Sequence, residues 1–302
     1  MTPRCCPFLP STFAILFAVG LSTSSAQPGL PSPGEKAHPF TRPVESLQDA
    51  AAHAVSVRLI VENESSLVPG AAGTLALTFD IAPGWHLYWH NPGDSGFPIT
   101  WTIDAPPAIT LAEPQWPVPQ RHLSPGDILD YIYEHETTIL IPFVVSTDFK
   151  PGDPLTLTAD VQWLVCREGC VPGGARASLT IPASPPRDGR PAGDDSQHLQ
   201  KAIRRLPRPL TEAESQWLAT EWQGQTLRIK AQDARGMAFY PYGSAQAVPF
   251  DLVRRGMTTG DALEIPYRTS VFKAERVQGV VEVNRGGQTR YYSLDLPTPT
   301  AH

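Results

Sequence analysis

A chain of 302 residues is long enough for two domains of ordinary size rather than one. Its net charge of −6 is mild and carries no basic stripe, which argues against a nucleic-acid partner. The 33 prolines and 23 glycines follow no period, which excludes a collagen-like chain and long helices and predicts many short strands joined by turns.

The N-terminus carries Arg4, an apolar run over 13–21, and then Ser24-Ser25-Ala26. That order is the pattern of a secretory signal peptide over residues 1–26, cut after Ala26. The run is too short to span a membrane permanently. No cysteine follows the cleavage point, so lipid anchoring there has no support. The mature chain is expected to be soluble in an exported, oxidising compartment, where disulfides form and persist. Residues 27–50 are rich in Pro, Gly and Ser and are expected to be disordered.

From residue 51 the dominant period is two. Val55, Val57, Leu59 and Val61 recur at alternate positions, as do Leu75, Leu77, Phe79 and Ile81. Ile139, Ile141, Phe143 and Val145 repeat the pattern, followed by Leu155, Leu157, Ala159, Val161 and Trp163. These read as half-buried strands of an antiparallel sandwich over residues 51–182. Turn chemistry separates them, most clearly at Asn91-Pro92-Gly93-Asp94-Ser95-Gly96.

The prolines of Pro182-Ala183-Ser184-Pro185-Pro186 and Pro191 remove the backbone donors a sheet needs, which predicts a stiff linker over 183–198. Leu199, Ile203 and Leu206 then fall at helical spacing between Asp195 and Pro207, with Lys201, Arg204 and Arg205 towards the C-terminal end. Thr211 and Glu214 have the spacing of a capping box. The remainder returns to strands around Leu227 and Ile229 and over 237–242, 263–267, 280–283 and 291–296, with Gly286-Gly287 as a hairpin turn. A second, smaller β-sandwich over 199–302 is expected, making the fold all-β.

Two cysteines, Cys5 and Cys6, lie within the signal peptide, so the mature chain keeps Cys166 and Cys170. The residues before Cys166 read as a strand, and Arg167-Glu168-Gly169 as a three-residue hairpin loop with glycine at a left-handed position. Such a loop makes the two cysteines directly opposed, with Cβ atoms about 4.5–5.5 Å apart. Disulfide geometry asks for about 3.5–4.5 Å, so a bond between them is expected to form with some strain and to be more easily reduced.

The plain alternative is a structural staple, common in exported proteins. Against it, the enclosed loop is tiny, and its chain-entropy gain is at the low end, on the order of 2 kcal/mol. Strand parity also sets Cys166 with Thr156, Thr158, Asp160 and Gln162, opposite Leu157, Val161 and Trp163, and therefore away from the core. Neighbouring charges pull both ways, since Arg167 favours a thiolate and Glu168 opposes it. The spacing is not the Cys-x-x-Cys of a thioredoxin-like helix, and no βαβ pattern surrounds it.

Trp163-Leu164-Val165-Cys166, Cys170-Val171-Pro172, the upstream Gly84-Trp85-His86-Leu87-Tyr88-Trp89 and the turn 91–96 together resemble the N-terminal periplasmic domain of the thiol:disulfide interchange protein DsbD, in its ScsB-like variant. The likeness covers residues 50–182 and extends more loosely to about 296. It implies two immunoglobulin-like sandwiches and a redox role for Cys166 and Cys170, and the thiol–disulfide exchange expected of the pair needs no bound cofactor. In that family the pair takes electrons from a membrane partner and passes them to periplasmic thioredoxin-like proteins, while a cap loop covers the cysteines until a partner docks. By resemblance the cap is Asp127-Ile128-Leu129-Asp130-Tyr131-Ile132-Tyr133, with Asp127, Ile128, Leu129, Tyr131 and Tyr133 as its site residues; ordinary core is the competing reading of this segment. Full-length members continue into transmembrane helices and a thioredoxin-like domain. This chain ends at His302 without either, so the expectation is that either a separate membrane donor of the DsbD/CcdA type supplies the electrons or the module has been reused for binding.

His86 and His90 share one strand face by parity, and with His122 and His135 they raise a copper or zinc site as a weaker possibility. Histidines among aromatic residues more often pack than ligate, and Trp85, Trp89, Trp101, Trp116 and Trp163 read as core or turn anchors. Nothing resembles a Ser-His-Asp arrangement, a phosphate loop or a hydrolytic carboxylate pair. Three functions remain open at this point. They are a periplasmic thiol–disulfide oxidoreductase relay, a secreted immunoglobulin-like binding module with a static disulfide, and a copper-binding protein.

Overall fold

A computed structural model describes residues 47–62, 68–150, 152, 154–181, 194–242, 249, 251–267 and 276–299. The expected signal peptide and all of the expected linker before Asp194 lie outside the described residues. The first described element is a helix, α1 (Leu47–Ala52), which begins inside the stretch expected to be disordered. Leu47 and Ala51, one helical turn apart, give it an apolar face that packs on the sandwich core.

Ten strands follow: β1 (Val55–Val61), β2 (Ala72–Ile81), β3 (His86–Gly93), β4 (Thr100–Asp104), β5 (Ile109–Leu111), β6 (Gln120–Ser124), β7 (Ile128–Glu134), β8 (Glu136–Val145), β9 (Leu155–Cys166) and β10 (Cys170–Ile181). One sheet runs β1-β2-β8-β5 and the other β10-β9-β3-β7-β6, with β4 also on β9. Every pairing between these strands is antiparallel. The alternating residues of the sequence form the shared core, where Leu77, Phe79, Leu87 and Ile139 are fully buried. Each such side chain contributes about 1.5–3 kcal/mol relative to exposure.

The outer face of the first sheet is covered as well. Ile60, Ala76 and Leu140 sit under helix α2 (Asp194–Arg204), which presents Leu199 and Ala202 to them. This explains why three consecutive residues of β1, Leu59, Ile60 and Val61, are all buried where alternation predicts a half-buried strand. The helix starts at Asp194, within the expected linker, and its apolar stripe includes Ala202, while Ile203 is 39% exposed. His198 of α2 lies 2.5 Å from Glu136 and 3.4 Å from Asp80, and Arg58 bonds both Asp80 and Asp195.

After α3 (Glu212–Ser215), whose Thr211–Glu214 capping box is present, come β11 (Leu218–Gln223), β12 (Thr226–Ala231) and β13 (Ala234–Pro241). A one-turn helix, α4 (Leu252–Arg255), leads to β14 (Met257–Thr258), β15 (Ala262–Pro266), β16 (Arg276–Arg285) and β17 (Gln288–Pro297). These build a second sandwich from sheets β11-β12-β15 and β14-β13-β16-β17. Its core holds Leu227, Ile229, Phe239, Ile265, Val281 and Tyr292. Gly286 and Gly287 both take positive φ in the β16–β17 turn, as the hairpin chemistry demands.

The two sandwiches share apolar packing. Ala238, Tyr240 and Val280 of the second are part of the first sandwich's core, and the described residues form one compact unit.

Candidate redox site

The long β9–β10 hairpin ends at the cysteines, which are paired across the strands as the loop length requires. Cys166 and Cys170 form a disulfide with their Cα atoms 4.1 Å apart. The loop is closed by the amide of Arg167 donating to the carbonyl of Gly169 at 3.1 Å. Gly169 is not left-handed, contrary to the sequence expectation. A Cβ there would meet the tip of the Leu47 side chain of α1 at 2.9 Å, so α1 packs closely against the loop. Arg167 lays its guanidinium over Trp85, 4.7 Å from the ring centroid, so its charge is held beside the loop.

The parity of β9 places Cys166 on the face opposite Leu157, Val161 and Trp163, but this face is covered at the cysteine. Cys166 is only 3% exposed and packs in a small cluster with Tyr88, Ile132 and Leu164. Cys170, directly across, is exposed. The two sulfurs of one bond therefore differ sharply in access.

Tyr88 is the central covering residue. Its hydroxyl donates to Cys166 Sγ at 3.3 Å and lies 3.9 Å from Cys170 Sγ. Burial raises its pKa, so the phenol keeps its proton at neutral pH and remains a donor. The ring rests on Gly96, where a Cβ would fall 2.3 Å from the ring atoms, and Gly96 has φ +76°. Only glycine combines that backbone with that contact. The motif Asn91-Pro92-Gly93-Asp94-Ser95-Gly96 is thus the seat of Tyr88, and β7 holds the seat in place. The carboxylate of Asp130 accepts from the Ser95 amide at 2.8 Å and from its hydroxyl at 2.7 Å. Asp94 accepts from the Leu129 amide at 2.8 Å and returns its own amide to the Leu129 carbonyl at 2.9 Å.

The segment expected to cap the cysteines is strand β7, and it divides by parity. Leu129, Tyr131 and Tyr133 point into the sandwich core, so these three do not lie over the disulfide. Ile128 is 38% exposed, and Asp127 sits in a left-handed turn with φ 60°, 3.6 Å from Arg254. Ile132, on the opposite face, reaches Cys166, and Asp130 anchors the turn that seats Tyr88. The expected cap segment thus includes Ile132 of the cluster around Cys166 but not Tyr88. Tyr88 lies in the quoted motif at even spacing from His86, and their shared face was the available signal.

The histidines do not gather. His86 pairs in register with Cys166 and is 5.4 Å from His122 between ring centroids. Its Nε2 is 3.4 Å from the Tyr88 hydroxyl, and burial together with His122 lowers its pKa. A register irregularity between Tyr88 and Gly93 separates His90 from that face. His90 packs instead against Trp116 and Tyr242, at 5.5 and 5.2 Å. His135 is exposed in a left-handed turn. Among the described residues, no group of three or more His, Cys, Asp and Glu is arranged to hold a metal ion.

Residues 56–182 match the family model described as thiol:disulfide interchange protein DsbD, N-terminal. The fold is similar to the crystal structure of the N-terminal periplasmic domain of ScsB from Proteus mirabilis, at 18% identity and TM-score 0.54, over 82% of this chain and 96% of that one. The N-terminal domain of Neisseria meningitidis DsbD in the reduced form aligns at 18% identity and TM-score 0.27, over 43% of this chain and 85% of that one. No curated relative matches the sequence. No described helix is long and apolar enough to cross a membrane. Over residues 56–182, less than half of its length, this chain is similar to the DsbD N-terminal family of thiol:disulfide interchange proteins.

Proposed function

We propose that this is an exported protein that relays reducing equivalents through Cys166 and Cys170, from a membrane donor of the DsbD/CcdA type to periplasmic thioredoxin-like proteins. The observation that carries the reading is the unequal access of the two sulfurs, with Cys170 exposed and Cys166 sealed beneath Tyr88.

In the loading step, a donor thiolate attacks Cys170 Sγ. The Cys166–Cys170 bond breaks, a mixed disulfide forms at Cys170, and Cys166 leaves as a thiolate. The Tyr88 hydroxyl already points at Cys166 Sγ, and its hydrogen bond strengthens as negative charge collects there. The donor's second thiol then releases the mixed disulfide and leaves the pair as a dithiol. In the delivery step, the Cys170 thiolate attacks the acceptor's disulfide. Cys166 then attacks Cys170, which reforms the disulfide and releases the reduced acceptor. Two electrons move in each half, and no cofactor is required.

The static-staple reading draws on the 3% exposure of Cys166. Trapping separates the two. The Cys166→Ser protein should accumulate a mixed disulfide through Cys170 with a thioredoxin-like protein, and the Cys170→Ser protein should not. Failure of both variants to trap any partner favours the staple.

A further inference from the structure

We propose that the second sandwich sets the position of the cover over Cys166, and that it does so through Asn91. This rests on reading Cys166 and Cys170 as the exchanging pair.

Asn91 uses both ends of its side-chain amide. Its Nδ2 donates to the carbonyl of Pro241, at the end of β13, at 2.8 Å. Its Oδ1 accepts from the amide of Gly93 at 3.2 Å. One end therefore grips the second sandwich, and the other starts the turn that finishes at Gly96 beneath the Tyr88 ring.

Aromatic packing reinforces the grip. Tyr240 lies 5.7 Å from Tyr131 and 6.5 Å from Trp89, and Tyr242 lies 5.8 Å from Trp89. Trp89 and Tyr131 are the chain neighbours of Tyr88 and Ile132. Strand alternation sends one member of each pair back to the second sandwich and the other forward over Cys166. Arg121 of β6 adds a bond to the carbonyl of Leu252 in α4 at 2.7 Å, and Arg254 of α4 reaches Asp127 beside β7.

These contacts land on β3, β6 and β7, or beside them. β3 and β7 carry the cover, whereas the cysteines belong to β9 and β10. A shift of the second sandwich therefore acts on the cover before it acts on the disulfide. Asn91 and Tyr240 are positioning residues for exchange, acting through Tyr88.

The test is the alkylation rate of Cys166 by iodoacetamide in the full mature chain carrying Cys170→Ser. This reports the cover whether or not any relay partner exists. Asn91→Asp keeps an acceptor for Gly93 but loses the donor to Pro241, while Asn91→Ala loses both. Both should accelerate alkylation of Cys166 by about fivefold or more, the factor expected from one net hydrogen bond. Cys170 in the Cys166→Ser chain should alkylate at an unchanged rate. Wild-type alkylation in Asn91→Asp beside fast alkylation in Asn91→Ala would place the control in the local turn alone and overturn the proposal. Wild-type rates in both would overturn it too. Where either variant fails to fold, Tyr240→Leu takes its place: faster alkylation of Cys166 supports the proposal, and a wild-type rate overturns it.

Discussion

The hydroxyl of Tyr88 sits 3.3 Å from Cys166 Sγ, on the neighbouring strand and on the face of the sheet that points away from the core. One residue thereby shields a sulfur and offers it a hydrogen bond. Removing the hydroxyl separates the two roles. Tyr88→Phe keeps the ring on Gly96 but loses the bond to the departing thiolate. Hydrogen bonds to charged groups are worth about 1.5–3 kcal/mol, so reduction of the disulfide by dithiothreitol should slow by at least about tenfold. Stopped-flow reduction kinetics measure this directly. A wild-type rate would remove Tyr88 from the chemistry and leave it as packing.

Gly96→Val is expected to do the reverse. A Cβ there collides with the Tyr88 ring at 2.3 Å, and the positive φ adds strain for a β-branched residue. The turn must move and Tyr88 with it. The unfolding free energy should fall by about 2 kcal/mol or more, and Cys166 should become alkylable in the reduced protein. Stability loss with Cys166 still protected would mean that Ile132 and Leu164 suffice as cover.

The sulfurs should also differ as isolated thiols. In Cys166→Ser the remaining Cys170 is exposed, and in Cys170→Ser the remaining Cys166 lies in the Tyr88 cluster. Competitive alkylation followed by mass spectrometry should favour Cys170 by about tenfold or more, because reaction requires access to the thiolate. Equal rates would show that the cover opens freely.

A pH effect follows from His90. Burial among Trp89, Trp116 and Tyr242 lowers its pKa to about 4. The unfolded chain takes up this proton near 6.5 and the folded chain only near 4, so the unfolded state binds more protons in between. Stability is complete above about 6.5 and falls as the pH drops towards about 4, by a share on the order of 3 kcal/mol. Urea unfolding at pH 7.5 and pH 4.5 should show this loss, and His90→Phe should remove that share of the slope. An unchanged slope in the variant would assign it to other groups.

The period-two pattern made the sandwich strands legible, because β1, β2, β8 and β9 each bury one face against a common core. The hairpin at the cysteines was equally legible, since loop length alone fixes which residues oppose each other. The cover was harder to find. Its residues alternate with core residues along the same strands, so Tyr88 beside Trp89, and Ile132 beside Tyr131, read as one apolar run. The role of Asn91 was hidden for another reason. Its bond to Pro241 spans 150 residues, and no local pattern encodes a contact at that separation.

Relay and staple part most sharply in the redox equilibrium of Cys166–Cys170, measured in the mature protein across glutathione buffers and read by alkylation and mass. A potential above about −250 mV lies within the range of labile, exchangeable disulfides, and that is the value expected of a relay. A potential below about −300 mV, with the bond inert to thioredoxin-like proteins, would contradict the relay and make the pair a structural staple.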